Sequence, residues 1–308
     1  MLRIGTRGSK LALWQAEHIR ARLLQERGIE SELVVIKTSG DQFAFAAIPD
    51  VGGKGIFIKE IEDALLEGRV DLAVHSMKDV PTATPRGLCF PAITKREDPR
   101  DCLVSRSGKA LAELPAASIV GTSSLRRQSQ LLHFRRDLEV VNLRGNVDTR
   151  MRKLDAGEVD AIVVAKAGLD RLGLSSRITE VLPPSIMLSA VGQGALAIEA
   201  RESDAGTLEI LAKFDDADSR AAVAAERALL AELEGGCQVQ LGAWARIDGG
   251  RMRMDARVLS ADGAESIPRH AEGAPQEGER LGRGLARELL DAGADRLLRL
   301  AGRSVGGG

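Results

Sequence analysis

Two arginine-bearing turns, GTSSLRRQ (Gly121 to Gln128) and LRGNVDTR (Leu143 to Arg150), concentrate the chemistry of this chain. Each follows a short apolar run and opens a stretch with helical spacing. Arg126, Arg127, Arg144 and Arg150 therefore fall where unpaired backbone N–H groups already favour anions. A guanidinium is a planar fork of donors that matches a carboxylate or phosphate bidentately. Small Gly and Ser residues beside the forks leave room for a ligand carrying several anionic groups. The net charge of the 308 residues is only −1, so these arginines form a local site and not part of a general basic coat.

Four further places carry reactive or charged residues. Arg3 and Arg7 flank Gly5-Thr6 in the first turn, with Ser9 behind them as a helix N-cap. Arg152 and Arg171 extend the basic character of the later turns. In HSMKDVP, His75, Lys78 and Asp79 end an apolar strand-like run, and ligands of open α/β sheets collect beyond the C-terminal ends of strands. An acid there fits an anionic ligand only if part of that ligand is N–H-rich or becomes cationic; otherwise Lys78 and Asp79 are a surface ion pair contributing little. His75, like His18, His133 and His270, reads as a hydrogen-bonded structural residue. Cys237, in LEGGCQVQLG, follows two bare glycines that leave its sulfur open; it is either a reactive thiol or a small buried hydrophobe. Cys89 and Cys102 lie in or beside apolar runs and read as core. VGGKG (Val51 to Gly55) has neither Walker A nor GxGxxG spacing.

Composition narrows the classes. At 3% aromatic with no tyrosine, and near neutral, the chain lacks both the stacking platforms and the field of a nucleic-acid binder. No apolar run approaches the length of a membrane span, and MLRIGTRGSK lacks the features of a signal peptide. The three cysteines are widely spaced without CxxC, which argues for reduced thiols and no zinc. The expectation is a cytoplasmic protein without metal, nucleic-acid or membrane partners. No exposed apolar stripe demands assembly, so a monomer is expected.

The elements that must position these residues follow from hydrophobic period and punctuation. Leu2 to Thr6 reads as a buried strand. A helix capped by Ser9 carries Leu13, Ala16, Ile19 and Leu23 to Gly28, and Glu32 to Thr38 is a second strand. Ser39 to Gly55 is a glycine-rich loop of a length usually reserved for function. Phe57, Ile61 and Leu65 mark a helix ending at Gly68, before the strand VDLAVHS. After REDPRD, SIVGTSSLRRQ repeats the order of LRIGTRGSKLA, and GEVDAIVVAKAG repeats GRVDLAVHSMKD. Two repeats in matching order predict two similar α/β domains with parallel sheets built from right-handed crossovers. Gly192 and Gly194 suit a crossing segment. An alanine-rich helix from Ser219 to about Leu233, antiparallel strands in AWARI and RMRMDARVL, and a last helix from about Glu277 to Leu300 predict a small α+β third domain. The expected division is 1–95 with 195–214, 96–194, and 215–308.

Taken together, LRIGTRGSKLALWQA, VGGKGIF-KE, DLAVHSMKDVP, REDPRD, IVGTSSLRRQ, LRGNVDTR, AGLDRLGL, AVGQGA and LEGGCQV resemble the porphobilinogen deaminase (hydroxymethylbilane synthase) family, in order over nearly the whole chain. The resemblance implies two α/β domains like type II periplasmic binding proteins, plus the C-terminal domain with an antiparallel sheet. It implies a dipyrromethane cofactor held through a thioether by Cys237. It also implies a reaction in which four porphobilinogen molecules join head-to-tail on that primer, with loss of ammonia, before the linear tetrapyrrole hydroxymethylbilane is released. By the same resemblance, Lys78, Thr122, Ser124, Arg126, Arg127, Arg144 and Arg150 hold cofactor carboxylates. Arg3, Arg7, Ser9, Arg171 and Gln193 position substrate, with Phe57 stacking above it. Asp79 accepts from pyrrole N–H groups and stabilises positive charge as ammonia leaves, which accounts for an acid among arginines. The chain departs from the family pattern at Asp50, in AIPD before the retained Lys54, and at Gln240, where a proline is usual. Two competing readings remain: a non-catalytic two-lobed binder or sensor for an organic anion, and an enzyme acting on phosphates. The first gives Cys237 no task; the second explains neither Cys237 nor Asp79.

Overall fold

The computed structural model describes residues 1–38, 58–233 and 240–303. The glycine-rich loop with Asp50 and Lys54, together with Phe57 and Cys237, lies outside the described residues. The described residues group into two compact units, 1–97 with 194–220 and 98–193 with 221–308.

The first unit holds β1 (Leu2–Thr6), α1 (Lys10–Arg27), β2 (Ser31–Val35), α2 (Lys59–Leu66), β3 (Leu72–Ser76) and β4 (Leu88–Ile93). The second holds β5 (Asp101–Ser105), β6 (Ile119–Gly121), α3 (Leu125–Phe134), β7 (Glu139–Val141), α4 (Val147–Asp155), β8 (Ala161–Ala165), α5 (Lys166–Arg171) and β9 (Glu180–Val181). The chain then supplies β10 (Leu196–Arg201) and α6 (Ala205–Leu211) to the first unit, and α7 (Ala217–Glu232) follows. The last elements are β11 (Leu241–Asp248), β12 (Arg251–Leu259), β13 (Ser266–Gly273), α8 (Gly278–Asp291) and α9 (Ala294–Arg303).

The two α/β sheets share one topology. Their strand orders are β2-β1-β3-β10-β4 and β7-β6-β8-β5-β9. In the first, β1 runs parallel to β2 and β3, while β10 lies antiparallel between β3 and β4. In the second, β6 runs parallel to β7 and β8, while β5 lies antiparallel between β8 and β9. The duplication expected from the repeats is present. Purely parallel sheets are not, because the fourth strand of each sheet, β10 or β5, comes just after the chain has passed from one unit to the other, and that strand enters from the opposite end.

Local chemistry sets the element boundaries. The Ser9 hydroxyl accepts from the Ala12 N–H at 3.3 Å and starts α1, which stops at Gly28. Side-chain alternation in β3 sends Leu72 and Val74 to a layer with Ile4, Ala16, Ile19 and Leu23 of α1. Ala73 goes to the other face, with Ile61, Ala64 and Leu65 of α2. Each such fully buried Leu or Ile contributes about 1.5–3 kcal/mol relative to exposure.

The C-terminal sheet has three strands, β11-β12-β13, all antiparallel. Its third strand, SIPRHAEG, escapes the sequence reading because it pairs on one side only and carries Pro268, which an edge tolerates. The expected single last helix is two, broken where Gly293 adopts φ +91, a left-handed conformation that a helix cannot continue through. Among the described residues no helix is long and apolar enough to cross a membrane.

Candidate functional site

In the first unit, β1 and β3 are parallel neighbours with Ile4 opposite Leu72, so the chain leaving each comes out on the same edge of the sheet. From β1 come Arg7 and Ser9. The Thr6 hydroxyl donates to the Ala12 carbonyl at 3.1 Å, which ties this turn to α1. From β3 comes a 3-10 turn, Met77–Asp79. Gln15, buried on α1, donates from Nε2 to the Ser76 hydroxyl at 2.8 Å and fixes the start of that turn. Lys78 and Asp79 are half-buried. Among the described residues the Asp79 carboxylate has no hydrogen-bond or ion-pair partner, Lys78 included, so the bland surface-pair reading of these two does not hold.

Behind the turn lies a buried acidic group. His75 Nε2 sits 2.9 Å from Glu199 Oε2, and both side chains are buried. Among the described residues the second Glu199 oxygen has no hydrogen-bond partner. Glu62, on α2, is pushed up to about 7 by burial first and by the Glu199 charge second. His75 is thus the hydrogen-bonded structural histidine that the sequence suggests.

Arg3 lies apart from these residues. It sits at the opposite end of β1 from Arg7, and its guanidinium grips Asp71 through Nε at 3.1 Å and Nη2 at 2.7 Å. Arg201, at the far end of antiparallel β10, joins the same carboxylate at 3.3 Å. Four residues of strand separate Arg3 from Arg7, roughly 13 Å of rise. Its observed partner is structural, and a substrate role is not carried forward.

In the second unit, β6, β7 and β8 all deliver their following residues to one edge. The turn after β6 holds Thr122, which is buried, and Ser124. Thr122 donates its N–H to the Val141 carbonyl at 2.9 Å and accepts from the Ser124 N–H at 3.2 Å. Ser124 caps α3. The turn after β7 holds Arg144, which is exposed, and Arg150 on the first turns of α4, which Asn146 caps. Arg150 donates from Nε to the Gly145 carbonyl at 2.8 Å and from Nη2 to the Ser123 hydroxyl at 3.2 Å. Arg171 closes α5 after β8 and is buried.

Arg126 and Arg127 are buried, at 5% and 6% exposure, and both converge on Asp101, at 0%. Asp101 Oδ2 accepts from Arg126 Nη1 at 2.7 Å; Oδ1 accepts from Arg127 Nη2 at 2.8 Å and Nε at 3.1 Å. Gln193 Nε2 adds a bond to Oδ1 at 3.0 Å and another to the Pro99 carbonyl at 2.6 Å. Burial alone would raise the Asp101 carboxyl; the charges and hydrogen bonds of the two arginines overcome it and hold it far below the ordinary carboxylate value. Topology explains how Asp101 gets there. It begins antiparallel β5 opposite Ala165, the last residue of β8, and so reaches the edge where the parallel strands end.

Two guanidiniums against one carboxylate leave one net positive charge, and Arg126 keeps Nε and Nη2 without a hydrogen bond among the described residues. A carboxylate arriving about 4 Å away would gain roughly 4 kcal/mol before desolvation in a protein-surface dielectric. The sequence alone does not single out Asp101, although it stands in REDPRD. Its signal was indirect: two adjacent arginines on the first turn of a helix packed on a sheet need a counter-charge. Cys102, the next residue, is buried with its thiol pushed up to about 12, chiefly by burial, and is inert core as expected; Cys89 is half-buried. Among the described residues no cluster of His, Cys, Asp or Glu could hold a metal.

Each unit thus offers one face of polar and charged groups at its parallel strand ends: Arg7, Lys78 and a carboxylate without a partner among the described residues in one, and a partly neutralised arginine cluster in the other. Comparison with known proteins identifies the family over most of the chain. Residues 2–209 match the family model described as porphobilinogen deaminase, dipyromethane cofactor binding domain, and residues 220–291 match that family's C-terminal domain. The chain is 50% identical over 299 residues to the porphobilinogen deaminase of Syntrophobacter fumaroxidans, covering 97% of each chain. It is 51% identical to those of Desulforudis audaxviator, covering 96% of each, and Syntrophotalea carbinolica, covering 96% of this chain and 95% of that one.

Proposed function

Because the chain belongs to the porphobilinogen deaminase family, we propose that it polymerises porphobilinogen head-to-tail, with loss of ammonia, on a dipyrromethane primer linked by a thioether to Cys237. The enzyme is a transferase of tetrapyrrole biosynthesis whose product is hydroxymethylbilane. A division into three domains, a cytoplasmic location and a monomeric state belong to the same reading.

The observation that carries it is the unequal pairing of Arg126 and Arg127 with Asp101, set beside the unpaired carboxylate of Asp79. A dipyrromethane bears acetate and propionate groups around an N–H-bearing spine, and these residues suit both parts. When bound, it supplies the pyrrole carbon on which the new bond forms. The chain's own residues do the rest. Arg126, Arg127, Arg144 and Arg150, with Lys78, Thr122 and Ser124, bind its carboxylates, and the guanidinium forks fix their orientation. Arg7, Ser9, Arg171 and Gln193 position the incoming porphobilinogen, Gln193 acting through the Asp101 cluster. Asp79 accepts pyrrole N–H bonds and opposes the positive charge that develops as the substrate's amine departs. With no partner among the described residues, both of its oxygens are left for this task. Phe57 is assigned the stacking role from the family pattern.

Incubation of purified protein with porphobilinogen tests the reading directly. One ammonia should appear for each porphobilinogen consumed, with a linear tetrapyrrole as product. Tight binding of porphobilinogen without ammonia release would instead favour a two-lobed organic-anion binder.

A further inference from the structure

We propose that Gln130 is a positioning residue that sets the spacing between the arginine cluster and the strand leading out of the Cys237 segment. The inference rests on the proposed attachment at Cys237.

Gln130 lies one helical turn beyond Arg126 on α3 and is fully buried. Its amide engages both backbone groups of Leu188: the Leu188 N–H donates to Oε1 at 2.8 Å, and Nε2 donates to the Leu188 carbonyl at 3.0 Å. A side chain therefore takes the place of a neighbouring strand. The Leu188 carbonyl also accepts from Arg126 Nη1, so the arginine and the glutamine hold one atom together.

The next residue faces the other way. Ser189 donates its hydroxyl to the Ala243 carbonyl at 3.0 Å, and its own carbonyl accepts from the Ala243 N–H at 2.9 Å. Ala243 belongs to β11, which begins four residues after Cys237. Leu188 and Ser189 are thus a two-residue splint with α3 on one side and β11 on the other. Further contacts prevent sliding. The fully buried carboxylate of Glu226 accepts from the Gly192 N–H at 2.7 Å and the Ala245 N–H at 2.8 Å. At the far end of α3, His133 Nδ1 lies 2.8 Å from the Gly263 carbonyl. A Cβ at Gly263 would meet the α3 backbone at 2.5–2.6 Å, so only glycine permits that approach.

A polyacid tethered at one point and clamped at another needs that separation held within a fraction of an ångström. Among the described residues Gln130 is the side-chain amide that grips both backbone groups of Leu188 on the clamp side. The apoprotein, made without a porphobilinogen supply, is mixed with porphobilinogen, and the mass gained is followed over time for wild type, Gln130→Leu and Ser189→Ala, beside melting curves. Gln130→Leu should load about tenfold more slowly per folded molecule, the equivalent of one net hydrogen bond. Ser189→Ala should be slowed less, in the same direction. A Gln130 that merely stabilises the fold would lower the melting temperature and leave loading per folded molecule unchanged, and that result overturns the inference. If Gln130→Leu fails to fold, Ser189→Ala decides, and loading at the wild-type rate overturns it. A wild type that gains no mass refutes the Cys237 reading instead, so the two failures are distinct.

Discussion

Asp79 is where function and stability separate most cleanly. Its carboxylate supports no other described residue, so Asp79→Asn should change unfolding free energy by no more than about 0.5 kcal/mol. The same change removes the negative charge opposing the developing cation, and turnover should fall roughly a hundredfold or more. Denaturant curves and single-turnover rates check the two halves; wild-type turnover would remove Asp79 from the chemistry. Glu62 gives the opposite case. Its carboxyl rises from 4.5 to about 7 on folding, so the folded state holds the proton more tightly. The resulting stability is complete below the unfolded value of 4.5 and lost as pH climbs through about 7. Melting temperatures of Glu62→Gln should therefore decline less between those limits than those of the parent, and parallel curves would contradict the assignment. At this scale the residue types were legible from the sequence, because Arg126, Arg127 and Asp79 stand in short motifs with a chemical logic. The partners were not. Asp71 beneath Arg3, Asp101 beneath Arg126 and Glu199 beside His75 are 68, 25 and 124 positions away, and only the fold brings them together.

Among elements, α3 carries the most. Its first turn presents Arg126 and Arg127, its middle holds the Leu188 splint, and its last turn abuts the β12–β13 connection. Asp101→Ala leaves two buried guanidiniums facing each other and should destabilise by about 3–5 kcal/mol. Because folding depresses the Asp101 carboxyl, its stabilisation is present above the unfolded pKa and lost as pH falls, so acid unfolding of Asp101→Asn should be less steep than that of the parent. An unchanged acid limb would place the main acid-labile group elsewhere. The start of α1 was readable from its Ser9 cap and its end from Gly28, and α3 from Ser124. β13 and the break at Gly293 were not. An edge strand needs no strong apolar alternation, and Gly293 sits within a pattern whose apolar period continues on both sides.

For the molecule as a whole, the repeated order of motifs already announced two α/β sheets of one topology. The antiparallel member of each was hidden, since strand direction depends on where a distant segment enters and not on its own composition. Exposed large hydrophobics among the described residues are single and scattered, namely Met1, Leu24, Val35, Leu66 and Phe134. Sedimentation should accordingly report the 32.8 kDa chain mass across micromolar concentrations, and a concentration-dependent dimer would contradict the proposed monomer. A covalently held polyacid is what separates this enzyme from a simple anion binder. The most direct measurement is the intact mass of active protein after denaturation, beside Cys237→Ser. The wild type should exceed its sequence mass by two deaminated porphobilinogen units and the variant should not. Fully active wild-type protein at its bare sequence mass would contradict the account.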